Sequence, residues 1–296
     1  MLEAARCALC EVGVLQANDP MPPFTVRMSG NLNFLAYPPS GEFYLVKIGL
    51  QNDLRREFEG FSAGHAAFPH GVPRPLALSR HRSFPTLVTT GIPLTPLGPL
   101  SMRSPVGTLR RSLADFFARS SVAFRVDAAS AHSQRIRQAF EGLPETLRAS
   151  GERYIEAIAA DADWLPAVRQ HGDFSVNNLG MHGPFLVILD WEDYGRECLP
   201  GYDLALLLLA LNGFSAATVR DNTRDGAEHA WILQAGSEGT GIPPALFLRL
   251  LPAYLALTVR MKTEAAYGHA LQSRAISALT TALHDFGTRQ SAGEHR

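Results

Sequence analysis

Between residues 171 and 192 the chain reads His171-Gly172-Asp173-Phe174-Ser175-Val176-Asn177-Asn178-Leu179 and then Val187-Ile188-Leu189-Asp190-Trp191-Glu192, and no other stretch restricts the fold as much. An Asp, an Asn five positions later and a second Asp beyond an apolar run form the oxygen-ligand set that Mg-dependent phosphoryl transfer needs. In that chemistry three side chains must be fixed in space, one for the acceptor's proton and two for the metal; Asp173, Asn178 and Asp190 can be those three. The spacing has a physical reason. A tight polar loop from Asp173 to Asn178 can aim both side chains into one cleft, and Leu186-Val187-Ile188-Leu189 reads as a short buried strand that delivers Asp190 to the same place.

HGDFSVNNL followed by VILDWEDYGRECLPGYDLALLLL resembles the aminoglycoside phosphotransferase and choline kinase group of protein-kinase-like small-molecule kinases. That group's pattern is HGD, four variable residues, Asn, an apolar strand into Asp-Trp/Phe-Glu, and a Pro-containing turn into Tyr/Asp-Leu-Ala. Phe174-Ser175-Val176-Asn177 fills the segment that many relatives write as Leu-His-Pro-Gly. The resemblance implies an α+β, bilobal protein-kinase-like fold with a β-rich N-terminal lobe and a mainly helical C-terminal lobe. It implies Asp173 as catalytic base, Asn178 and Asp190 as metal ligands, Asp203 as the anchor of the catalytic loop, and His171 as its brace through hydrogen bonds. The expected activity is transfer of the γ-phosphate of ATP, with GTP left open, to a hydroxyl of a small molecule in the presence of Mg. The alternative is a kinase-like protein that binds a nucleotide or a partner without turnover. Retention of Lys47, Asp173, Asn178 and Asp190 favours the enzyme. A protein kinase fits less well, since the chain has HGD in place of HRD, DWE in place of DFG and no APE-like segment.

A fold of this kind needs a phosphate clamp upstream. Ser29-Gly30-Asn31-Leu32-Asn33-Phe34 reads as a strand-turn-strand hairpin with Gly30 near the tip, where a missing side chain lets backbone N–H groups approach phosphate. Gly30 and Asn33 are its candidate nucleotide contacts. From Phe43 to Ile48 the residues alternate as in a strand, which gives Lys47 a fixed direction. A helix is predicted from Asn52 to about Ala66, with Asn52 or Asp53 as N-cap. Its Glu57 or Glu59 would pair with Lys47 to position the α- and β-phosphates, as in kinase folds generally, and the resemblance favours Glu57.

With 296 residues the chain exceeds the usual single core, so two lobes are expected, and 46% apolar residues can supply both cores. The clearest linker is Gly91-Ile92-Pro93-Leu94-Thr95-Pro96-Leu97-Gly98-Pro99, after the apolar strand Phe84 to Thr90. The division is therefore set at residues 1–90 and 91–296, with a hinge at about 89–99. By resemblance, Thr89 and Thr90 are the candidate adenine contacts. Helical periodicity follows over Leu109 to Phe124, Ala131 to Leu143, Glu145 to Ala160, Pro243/Pro244 to about Lys262, and about Ala270 to Phe286, with a frayed tail after about Thr288.

A net charge of −1 leaves no electrostatic footprint for nucleic acid or an anionic membrane, so neither is an expected partner. Leu204 to Leu211 is apolar all round but too short to span a bilayer, and reads as a core helix. Three cysteines make no disulfide framework and suit a reducing compartment, hence a cytoplasmic protein. Cys7 and Cys10 are expected as two buried thiols on an amphipathic terminal helix rather than as half of a zinc site. Acids and bases are roughly balanced from Glu197 to Arg296, which argues against a polycationic aminoglycoside as acceptor. Trp231, Tyr254 and Tyr267 do not read as an aromatic cage for a choline-like head group. A neutral or mildly polar hydroxyl compound is the expected acceptor.

Overall fold

The computed structural model describes the whole chain except residues 30, 51–52, 82, 104–106, 127–130, 265–268 and 294–296. From the amino terminus run α1 (Leu2–Glu11), β1 (Phe24–Ser29), β2 (Asn31–Ala36), β3 (Tyr44–Ile48), α2 (Arg55–Ala67), β4 (Pro75–His81), β5 (Phe84–Thr90) and β6 (Thr95–Pro96). Then come α3 (Gly107–Ala123), β7 (Arg125–Val126), α4 (His132–Glu141), α5 (Glu145–Trp164), β8 (Ala167–Val168), and the hairpin of β9 (Leu179–His182) and β10 (Phe185–Ile188). The remainder is helical: α6 (Tyr202–Leu211), α7 (Ala216–Asn222), α8 (Ala230–Thr240), α9 (Pro244–Arg249), α10 (Leu251–Glu264) and α11 (His269–Gly293).

Two compact units result, one β-rich and one mainly helical, as the fold class expected from the sequence requires. The first holds Met1–Pro96 together with Asn178–Tyr194; the second holds Leu97–Asn177 and Gly195–Arg296. Where the sequence suggests a division at residues 90 and 91, the first unit extends to Pro96 and takes back the β9–β10 hairpin. Backbone pairing explains this: Thr95 and Pro96 pair with Met181 and Gly180, and Ile188 N–H donates to Gly71 O at 2.8 Å.

The first unit is built on an antiparallel sheet of order β1-β2-β3-β5-β4. Tyr44, Val46 and Ile48 of β3 join Ala4, Ala5, Ala8 and Leu9 of α1 in one apolar core. Period-two alternation therefore turns Lys47 to the opposite face, between Asn33 of β2 and Leu87 of β5 in register. The predicted buried thiols on α1 are a correction, because Cys7 and Cys10 are only partly covered and the alanines and Leu9 fill the buried stripe. Helix α2 begins at Arg55, later than predicted; Asp53 Oδ1 accepts from Arg55 N at 3.0 Å, and Asn52 lies outside the described residues.

In the second unit α6 is buried along Tyr202–Leu209, as an all-apolar helix must be. The run beginning at Pro243 divides into α9 and α10, and α11 continues to Gly293 rather than fraying after Thr288. Among the described residues no single helix is long and apolar enough to cross a membrane.

Candidate active site

In the first unit Lys47 is buried, and its ammonium is the centre of a carboxylate cluster. Lys47 Nζ lies 2.9 Å from Glu57 Oε1 and 2.8 Å from Oε2, 3.3 Å from Asp190 Oδ1 and 3.4 Å from Glu192 Oε2. Glu57 is 2% exposed whereas Glu59 is exposed, so Lys47 pairs with Glu57. Burial pulls Lys47 down, but the three carboxylates together outweigh it and hold the ammonium above the ordinary lysine value. Burial pushes the Glu57 carboxyl up, to about 7, against the opposing pull of Lys47. Glu192 is raised by burial and then by Asp190. One ammonium thus serves three carboxylates, and the excess negative charge is held in place by the fold.

Helix α2 can come this close because of two glycines on one face. A Cβ on Gly60 would stand 2.7 Å from Trp191 Cβ, and one on Gly64 would stand 2.7 Å from Trp191 Cζ2. Trp191 is fully buried, and its Nε1–H donates to Ile188 O at 3.2 Å. The Trp between Asp190 and Glu192 therefore locks the end of β10 against the helix that carries Glu57. Asp190 itself has φ +59°, the left-handed region that Asp tolerates better than most residues. That turn takes the chain out of strand alternation directly after β10, and a non-Gly residue held there is a feature found at functional sites.

Asn178 stands at the same end of the hairpin as Asp190. Leu179 pairs with Ile188, and Leu189 N–H donates to Asn178 O at 2.9 Å, so Asn178 and Asp190 flank the open end of one ladder. Asn33 is the cross-strand neighbour of Lys47. Thr89 is buried with its hydroxyl oxygen unpartnered, and Thr90 Oγ1 accepts from Arg74 N at 2.9 Å. The amides of Thr90 and Gly91 are already engaged with Arg74 O and Phe43 O. Gly30 lies outside the described residues.

Asp173 belongs to the second unit, on a loop whose backbone is tied down from below. Asp203, at the start of α6, accepts from His171 N at 2.7 Å with Oδ2 and from Gly172 N at 2.9 Å with Oδ1. Burial raises the Asp203 carboxyl, against the pull of His171 and of these two amides. Asp173 N–H donates to His171 Nδ1 at 3.3 Å, and Gly172 has φ +92°, which favours glycine. Phe174 fills the floor, its ring stacked on Phe116 of α3 with centroids 4.7 Å apart. The anchoring and bracing roles implied for Asp203 and His171 are visible in these bonds. The Asp173 side chain retains 27% exposure, and its Oδ1 lies 3.1 Å from Nζ of Lys262 on α10.

Two charged residues of these clusters carry no role in the sequence reading, Glu192 and Lys262. Glu192 is the last letter of the DWE motif. Lys262 could have been noticed as a lysine closing an apolar helix, Leu251 to Met261.

The sequence model of the phosphotransferase enzyme family matches residues 31–241, most of the chain. The chain belongs to that family. Comparison with curated protein sequences gives no match. Among solved structures the chain is similar to a choline/ethanolamine kinase family protein from Mesorhizobium loti, with TM-score 0.62, 17% identity, and 97% of this chain and 96% of that one covered. It is also similar to a macrolide 2′-phosphotransferase from Brachybacterium faecium, with TM-score 0.59, 18% identity and coverage of 92% and 97%. An amicoumacin kinase solved in complex with AMP-PNP and Ca2+ gives TM-score 0.62, 12% identity and coverage of 95% and 93%. Identities this low establish a shared kinase-like fold. The family match establishes a phosphotransferase.

Proposed function

We propose that this phosphotransferase moves the γ-phosphoryl group of ATP to a hydroxyl of a small molecule. Asp173 takes the acceptor's proton, Lys47 held by Glu57 orients the phosphates, and Asn178 and Asp190 hold Mg. The observation that carries the reading is the single ammonium of Lys47 within 3.4 Å of Glu57, Asp190 and Glu192. The ligand oxygens of those three carboxylates lie within 4.8 Å of one another. Hard oxygen donors with excess negative charge fit a hard divalent cation. When bound, Mg would neutralise charge on the phosphates. Asn33 of β2, the cross-strand neighbour of Lys47, would contact the phosphates, and Gly30 is proposed beside it on the sequence alone. Thr89 and Thr90, proposed for the adenine, support the reading least, since the amides of Thr90 and Gly91 are already used in the sheet.

For the acceptor, Lys262 beside Asp173 supports a neutral or mildly polar hydroxyl compound over a polycation, because an ammonium next to the base opposes a second positive charge. Against an aromatic cage, the buried Trp231 indole donates to Met102 O and the buried Tyr254 hydroxyl to Pro200 O, while Tyr267 lies outside the described residues. The three unpaired thiols support a reducing compartment such as the cytoplasm.

The test is thermal unfolding with nucleotides, followed by ADP release. ATP with Mg should stabilise the protein by ~2.7 kcal/mol at a hundredfold excess over its dissociation constant, and AMP much less. Lys47→Ala should remove most of that shift, and Asp190→Ala should weaken Mg-dependent binding more than Mg-free binding. ADP release should then depend on a hydroxyl compound from a panel of metabolites and aminoglycosides. A full shift without ADP release across the panel would favour nucleotide binding without turnover, and no shift with any nucleotide would count against both.

A further inference from the structure

Helix α10 is buried along one uninterrupted stretch from Leu251 to Val259 and again at Met261, and its next residue is Lys262, 3% exposed. An ammonium withdrawn from water is retained only against a countercharge, and Asp173 Oδ1 at 3.1 Å supplies one. Holding the loop does not require this contact. Asp203 already takes the amides of His171 and Gly172, and Phe174 is fixed on Phe116. Lys262 reaches the Asp173 carboxylate itself. Two residues earlier on the same helix, Arg260 holds Glu197 at 2.8 Å, while Gln170 N–H donates to Glu197 O at 2.9 Å. Helix α10 thus contacts the loop region at two charged points, one of them the candidate base.

We propose that Lys262 is a positioning residue for Asp173: its ammonium fixes one carboxylate oxygen, sets the rotation of the group, and offsets its charge where the acceptor hydroxyl must approach. The proposal rests on the phosphotransfer reading given above. In the step it serves, the acceptor oxygen bonds to the γ-phosphorus and its proton passes to Asp173. The bond from that phosphorus to the β,γ-bridging oxygen breaks and ADP leaves. Lys262 takes no part in the proton transfer, so its effect is exerted through the geometry and charge of Asp173.

The experiment compares wild type, Lys262→Met, Lys262→Arg, Asp173→Asn and the Lys262→Met/Asp173→Asn double variant. Melting temperatures of the nucleotide-free proteins give a double-mutant cycle, and ADP release from MgATP is measured with water and with a panel of hydroxyl compounds. Support requires singles and double that fail to add, with the pair coupled. It also requires Lys262→Met to lower kcat by about tenfold or more while KM for MgATP stays within about twofold, and Lys262→Arg to recover most of the loss. A folded Lys262→Met protein with wild-type kcat overturns the proposal while leaving the phosphotransfer reading standing, as does a loss shared equally by kcat and MgATP affinity. A coupled pair in a wild type that releases no ADP with any acceptor overturns the phosphotransfer reading instead, and reduces the pair to architecture.

Discussion

The two units hold their candidate catalytic carboxylates in opposite electrostatic conditions. In the first, three carboxylates share the one ammonium of Lys47, and Glu57 is raised to about 7 because burial outweighs the attraction. In the second, Asp173 meets the ammonium of Lys262, and the amides of His171 and Gly172 beneath it donate to Asp203. The first cluster has a deficit of positive charge that a cation could fill. The second is balanced by the chain's own side chains. A site for a metal-bound polyphosphate calls for the former, and a carboxylate that must be held in one orientation is served by the latter.

The largest break in this comparison should come from Lys47→Met. Removing the Lys47 ammonium leaves Glu57 buried beside Asp190 and Glu192, and loss of one partner of a buried pair costs on the order of 3–5 kcal/mol. Chemical denaturation of the nucleotide-free variant near pH 8 should show that loss, and divalent cations should recover part of it by taking the vacated charge. A variant as stable as wild type would mean that the carboxylates are not held in place against one another.

Asp173→Asn should behave differently. It removes the charge but not the shape, so nucleotide-induced stabilisation should persist while turnover falls by about two or more orders of magnitude. Retained turnover would transfer the base role elsewhere and dissolve the contrast between the units.

How far the sequence reaches is instructive at particular residues. The HGD loop, Asn178 and Asp190 are legible because their spacing is local, and Lys47 because strand alternation fixes its direction. Strand β5 runs from Phe84 to Thr90 as predicted, since an apolar β-branched run bounded by turn residues has few other uses. What was not legible depends on partners distant in sequence. Glu57 and Glu59 are indistinguishable until α2 is rotated onto Trp191, and the Gly60/Gly64 pair that permits the approach has no meaning without that Trp. The return of Asn178–Tyr194 to the first unit is written in backbone pairing, which leaves no side-chain signature. Lys262 meets Asp173 across 89 positions.

The second unit offers a pH test of its own. Burial pushes the Glu197 carboxyl up to about 7, against Arg260 and Arg135. A carboxyl whose folded value lies above its unfolded one contributes stability that is fully present below the unfolded value of about 4.5 and is lost as pH rises through about 7. Over that window the loss is on the order of 3 kcal/mol. Glu197→Gln removes the titration, so its melting temperature should gain on wild type between pH 5 and pH 8. A gap that stays constant or moves the other way would show Glu197 ionised throughout, held by Arg260 as Asp173 is by Lys262.

The smallest expected effect sharpens the comparison most cleanly. Glu57 and Glu59 lie two positions apart on α2, about 200° around the helix axis, so one is 2% exposed against Lys47 and the other is exposed. Their formal charges are identical, and any account based on the net charge of the first unit treats them alike. If the cluster acts through the fixed geometry of Lys47, Glu59→Gln should alter stability by no more than about 0.5 kcal/mol, as surface substitutions usually do. It should also leave the stabilisation by ATP and Mg unchanged. Glu57→Gln keeps a side chain of the same shape but gives up the charge that orients Lys47, so that stabilisation should fall. Equal responses from the two variants would mean that overall charge governs nucleotide binding, and the distinction between a built carboxylate cluster and an acidic surface would fail at its simplest point.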